Sequence, residues 1–244
     1  MTEYGEGVFR RRILLQREGE RAVTADVEDD FHRFGLRLLH DGERVVAVEG
    51  RALRYPWATC PGAVEPLKAL AGMPLGPRST DVGRHAAAHD NCTHLFDLAG
   101  LAVAHAASGR AARRYDVAIP DRDEAGRTTA RIFRDGELVL TWDLEWMTVQ
   151  APLLFEGVAL RGGFIKWAET HLDPETAEAA MVLRRCAEIS FGRQTPWDEL
   201  EVAADVGDFM IGLCHTFQPG TADVALRVKG TVRDFTGSPD ALLA

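Results

Sequence analysis

The chain has 244 residues, 46% of them hydrophobic and 27% charged, with a formal net charge of -9 at pH 7. That length can bury a sizeable core as one large domain or two fused ones, and the acidic balance argues against a general nucleic-acid binder, which needs a basic surface. No apolar run approaches the roughly 20 residues of a membrane span, and Met1-Thr2-Glu3-Tyr4-Gly5-Glu6 lacks the basic-then-apolar order of a secretory leader, so a cytoplasmic location with no membrane partner is expected.

Residues 8–15 and 22–27 read as strands around the turn Glu18-Gly19-Glu20. Residues 32–39 alternate, with His32, Phe34, Leu36 and Leu38 on one face and Arg33 and Arg37 on the other. His40-Asp41-Gly42-Glu43 is a hairpin turn, and residues 44–55 return as a strand that ends at Pro56. A short helix is expected over 61–71, a loop over 75–80, and a long helix from Thr80 or Asp81 to about Ala107, stopped by Ser108-Gly109.

The order then repeats. Residues 115–119, 128–133 and 138–149 read as strands, with Arg134-Asp135-Gly136-Glu137 as the turn of a second hairpin. Helices follow at 157–170, 174–191 and 196–215, the last two opened by Asp173-Pro174 and Thr195-Pro196. Residues 226–235 read as a last strand, and the tail from Gly237 as frayed. The expected class is α+β, antiparallel sheet packed by helices, in two similar strand-then-helix halves, 1–112 and 113–244. The paired Asp-Gly turns and the alignment of Cys92 with Cys186 suggest an internal duplication, against the alternative that such turns are common.

Candidate chemistry concentrates in residues 85–105. On a continuous helix, Cys92 shares a stripe with Leu95, Phe96, Ala99 and Val103, while Asp90, His94, Asp97 and Leu101 line the other side. Asp90 and His94, one turn apart, form a carboxylate–imidazole pair suited to a general base, or equally to a structural hydrogen bond. A second cluster is Tyr55-Pro56-Trp57-Ala58-Thr59-Cys60-Pro61. There a helix N-terminus would favour the Cys60 thiolate, and Tyr55 and Trp57 would line an aromatic pocket unless they are core. A third is Glu28-Asp29-Asp30-Phe31-His32, three acids that read as a solvated strand end followed by an inward-pointing His32. The four cysteines form no CxxC pair, and Cys60…Cys92-x-His94 is not a zinc-ribbon spacing. Neither a phosphate-binding glycine loop nor a dinucleotide fingerprint is present.

Phe31-His32-Arg33-Phe34, His40-Asp41-Gly42, Thr59-Cys60-Pro61, Leu70-Ala71-Gly72 and Asn91-Cys92-Thr93-His94-Leu95 resemble the bacterial domain of unknown function 2889 family over about residues 8–110. Longer relatives look like proteins of aromatic catabolism. The resemblance implies a cofactor-independent carbon–carbon lyase that releases formaldehyde from a lignin-derived phenylcoumaran. His94, Asp90, His32, Tyr55 and Arg54 would be catalytic, and Trp57, Cys60 and His89 would contact a small aromatic substrate. A more distant likeness is to U-type iron–sulfur scaffold proteins, with Cys60 and Cys92 matching. The middle cysteine of that family is missing near Pro74–Arg78, and Asn91 stands in place of its histidine. The alternative readings are therefore a metal or iron–sulfur protein using Cys60, Cys92 and His94, and a non-enzymatic binding module. An exposed sheet edge is compatible with a homodimer.

Overall fold

The computed structural model describes residues 2–244; Met1, the first residue of the stretch read for a leader, lies outside them. Eight strands form one antiparallel sheet: β1 (Val8–Glu18), β2 (Ala22–Asp29), β3 (Arg33–His40), β4 (Val45–Arg54), β5 (Ala112–Pro120), β6 (Arg127–Arg134), β7 (Glu137–Glu145) and β8 (Thr148–Ala151). Their order is β4-β3-β2-β1-β5-β6-β7-β8. With the helices α1 (Thr93–Ser108), α2 (Phe164–His171) and α3 (Pro174–Ile189), the class is α+β. Among the described residues no helix is long and apolar enough to cross a membrane.

The chain divides into two compact units, each discontinuous. One comprises residues up to Ile13, Arg114–Thr195 and Arg233–Ala244; the other comprises Leu14–Arg113 and Pro196–Val232. In the first, Trp142, Phe155, Phe164 and Trp167 form a linked aromatic core. Asp173 caps α3 by accepting from the backbone N–H groups of Glu175 and Thr176. A buried ion pair, Arg193 to Asp121 at 2.7 Å, lies between the residues after α3 and those after β5.

The second unit carries the alternation read in the sequence. Phe34, Leu36 and Leu38 on β3 are fully buried and lie opposite Val27, Ala25 and Val23 of β2. Helix α1 covers this face. Leu95, Leu98, Leu101 and Val103 are buried, and so is the helix's back, because the turn at Ser79–Arg84 lies on it. A side chain at Gly100 would meet the Ser79 carbonyl oxygen at 2.1 Å, so only glycine permits this approach.

Several expected elements differ. The helix expected from Asp81 to Ala107 begins only at Thr93; Ser79–Arg84 and Ala88–Asp90 are separate 3-10 turns. His85 and residues 87–90 are exposed, so no apolar stripe holds them against the protein, and a short helix without such packing is not stable. The helix expected at 61–71 is a 3-10 helix over Cys60–Leu70, with Pro66 inside it. The helix expected at 157–170 is shortened to α2, and the strand expected at 138–149 is divided into β7 and β8. Residues 196–215 form short 3-10 turns rather than a helix, interrupted at Gly207 and Gly212, whose φ values are +121° and +84°. The expected strand at 226–235 reduces to single bridges, Leu226 with Val202 and Arg227 with Trp57. The tail includes a turn at Pro239–Ala241, and Leu242 is buried.

Candidate functional site

The site is built within the second unit at the β2–β3 hairpin. Asp29 ends β2 and His32 precedes β3, and the Asp29 N–H donates to the His32 carbonyl at 2.9 Å. The Asp29 carboxylate turns inward: its Oδ1 accepts from the Phe31 and His32 N–H groups, both at 2.8 Å, and lies 3.0 Å from His32 Nδ1. Asp29 is fully buried. The expectation of a solvated acidic strand end is thus overturned, since Glu28 and Asp30 are buried as well. Register accounts for Asp29, which continues the buried face of Ala25 and Val27 and closes the turn by its own hydrogen bonds, whereas Glu28 is enclosed against Arg54, which donates to its carboxylate.

His94, in the first turn of α1, completes the group. Its ring centre is 3.8 Å from that of His32, at an interplanar angle of 36°. Both imidazoles stack on Phe34, at 5.8 Å and 5.9 Å. One ligating atom from each of Asp29, His32 and His94 lies within 4.8 Å of the others, the one such trio among the described residues. A carboxylate that fixes one imidazole against a second is suited to proton transfer, because it sets the tautomer and raises basicity.

Arg54, at the end of β4, holds this turn from the other side. Its guanidinium donates to the carbonyls of Asp29, Asp30 (3.0 Å), His32 (3.2 Å) and Thr231 (2.9 Å), and to Glu28 Oε1 (3.1 Å). Arg54, expected among the catalytic residues, is therefore committed to the backbone of the hairpin. Asp90 is not stacked one turn below His94, because it precedes the helix; its exposed carboxylate lies 3.4 Å from His89 Nε2. His89 is exposed too, and its carbonyl accepts from Gln218.

The segment Pro196–Val232 supplies a wall that the sequence did not disclose. Phe31, beside His32, packs on Trp197 at 5.4 Å, and Trp197 meets Trp57 at 6.1 Å, which meets Phe217 at 6.2 Å. The Arg227 guanidinium is enclosed near both tryptophans and donates to the carbonyls of Pro56, Trp197 and Val228. Burial lowers its pKa. Tyr55 is half-buried and Trp57 buried.

The cysteines stand apart from this chemistry. Cys60 is buried, its Sγ 3.6 Å from Thr216 Oγ1, and burial pushes its thiol up to about 11. This reverses the expected activation: the 3-10 helix that follows offers little aligned dipole, and desolvation dominates. Cys92, just before α1, is likewise pushed up by burial. The Cys60, Cys92 and His94 grouping does not come together as a trio of ligating atoms among the described residues.

Two comparisons with known proteins add to this geometry. Residues 14–108, which include β2, β3, β4 and α1, match the model of a family described as "Protein of unknown function (DUF2889)". No curated protein matches the chain.

Proposed function

We propose, starting from residues 14–108 as a member of the DUF2889 family of unknown function, that the chain is an acid–base enzyme whose centre is Asp29, His32 and His94. The observation that carries this reading is the 3.0 Å contact of buried Asp29 Oδ1 with His32 Nδ1, beside the stacked His94. The carboxylate holds the Nδ1–H tautomer of His32 and leaves Nε2 as the base.

The reaction we assign is carbon–carbon cleavage of a phenylcoumaran-type aromatic alcohol, with a small aromatic substrate and no cofactor in the bond-breaking step. The imidazole takes the proton of the primary hydroxyl, and that oxygen's electron pair forms the carbonyl of formaldehyde. The carbon–carbon bond breaks, and its pair becomes the alkene while the aryl ether oxygen leaves. A proton returned to that oxygen, from His94 or Tyr55, balances the step. Trp197, half-buried and packed on Phe31 at 5.4 Å, supplies apolar surface beside the turn that carries the base, with Phe31 and Trp57 buried behind it.

The test is formaldehyde release from a phenylcoumaran by the purified chain. His32→Gln and His94→Gln are each expected to lower the rate on the order of 100-fold or more. Asp90→Asn discriminates between the two carboxylates: a loss as large as that of Asp29→Asn would restore the Asp90 pairing and remove this centre. No formaldehyde from any such substrate removes the lyase.

A further inference from the structure

The geometry points to a second capacity of the same cluster: Asp29, His32 and His94 bind one divalent transition-metal ion of the zinc and ferrous class. This deepens the acid–base reading by assigning its side chains a ligand, and the test below separates the two.

The donor set is one carboxylate and two imidazoles, brought within 4.8 Å from a hairpin and a helix start. Two nitrogens and one oxygen suit zinc, cobalt(II) or iron(II); calcium and magnesium prefer oxygen alone. Three protein ligands leave at least one position for water or a substrate oxygen.

The carboxylate is already oriented. Asp29 Oδ1 is held by two backbone N–H groups at 2.8 Å, so its position is fixed before any ion arrives. Arg54 fixes the same turn through the Asp29 and His32 carbonyls. Burial strengthens the attraction between this carboxylate and a cation, because little water screens it.

One adjustment is required. Two imidazoles on one ion at ordinary metal–nitrogen lengths hold their ring centres roughly 4.5–5 Å apart, whereas the stack here is 3.8 Å. An ion shared by Asp29 and His32 takes the place of the Nδ1 proton in their 3.0 Å contact, so His32 ligates through Nδ1 in its other tautomer, and opening the stack by roughly 1 Å falls to His94, which is half-buried at the helix start. Metal binding and ring stacking therefore compete, and the ion selects the opened arrangement.

The probe is cobalt(II) titrated into the chelator-stripped full chain, read by visible absorption and by dialysis equilibrium. One equivalent per chain is expected, with the intense bands of a low-coordinate ion. His94→Gln and Asp29→Asn are expected to weaken binding by at least about 10-fold, while His171→Gln, an exposed histidine of the other unit, leaves it unchanged. Circular dichroism and urea midpoints show that each variant is folded. If His94→Gln disturbs the helix start, His94→Asn keeps a polar group there and must still lose the cobalt bands. Absence of a stoichiometric site, or a site that survives both substitutions, overturns the inference. Formaldehyde release by a stripped chain that takes up no cobalt removes the metal and keeps the base. A cobalt site in a chain that releases none from any phenylcoumaran keeps the metal and removes the lyase.

Discussion

Asp29 and His32 face each other across a turn that their own side chains close: the carboxylate oxygen that meets His32 Nδ1 at 3.0 Å also accepts the His32 backbone N–H at 2.8 Å. One atom thus serves fold and chemistry together, and substitution can separate the roles. Asparagine keeps an acceptor for the turn but not the charge. Asp29→Asn is expected to leave the urea midpoint near that of the parent while formaldehyde release falls on the order of 100-fold or more. Asp29→Ala also loses the turn's acceptor and costs about 1–3 kcal/mol in stability. Equal stability losses in the two variants would show that the carboxylate serves only the fold.

Much of this arrangement is legible in the residues, and the parts that are not have physical reasons. The alternation Phe34, Leu36, Leu38 places His32 on the inward face, and the buried strand bears this out. The same period-two reasoning applied to Val23, Ala25 and Val27 leads to Asp29, but composition obscures it, since three successive acids read as solvent-facing. His94 is recoverable from the face it shares with Asp97 and Leu101 on the helix; the carboxylate of the cluster is not, because the hairpin rather than the helix supplies it. Trp197 and Arg227 had no local signal at all. They are positioned by a segment of turns whose path depends on glycine conformations and backbone contacts with residues 56–58.

Arg54 makes a prediction about stability more than catalysis. Its guanidinium serves four carbonyls and the Glu28 carboxylate. Arg54→Ala leaves buried acceptors and the enclosed Glu28 without these donors and is expected to cost about 3–5 kcal/mol. Lysine cannot reproduce a planar fork with donors in several directions, so Arg54→Lys is expected to recover less than half of that loss. Urea unfolding of the three chains decides this, and a lysine variant as stable as the parent would mean that charge alone matters.

His40 predicts how stability responds to mild acid. Burial, reinforced by Arg21 and Arg17, holds its pKa below 6.5. Its Nδ1 is enclosed with no hydrogen-bond partner among the described residues. A folded-state pKa below the unfolded one means that the unfolded chain takes up the proton first. Its contribution is therefore complete above about pH 6.5 and is lost as pH falls through the folded value. His40→Leu removes this term. Between about pH 8 and pH 5 the parent is expected to lose more stability than the variant, measured as the change in urea midpoint. Parallel losses in both chains would assign the acid sensitivity to other groups.

The thiols give a prediction that bears on the cysteine-based readings. Cys60 sits at about 11 because it is desolvated, and Cys92 is raised by burial too. Cys186 is fully buried, and only Cys214 is half-buried. At about pH 8 a thiol near 11 is thiolate in roughly one molecule in a thousand, and the thiolate is the reactive form. A disulfide reagent at that pH should modify Cys214 first, with Cys60, Cys92 and Cys186 following only at the rate of unfolding. In strong denaturant all four should react together. Peptide mapping after a short exposure identifies the residue. Rapid labelling of Cys60 in the native chain would mean that it is accessible and activated, and it would return that thiol to the list of candidate nucleophiles and metal ligands.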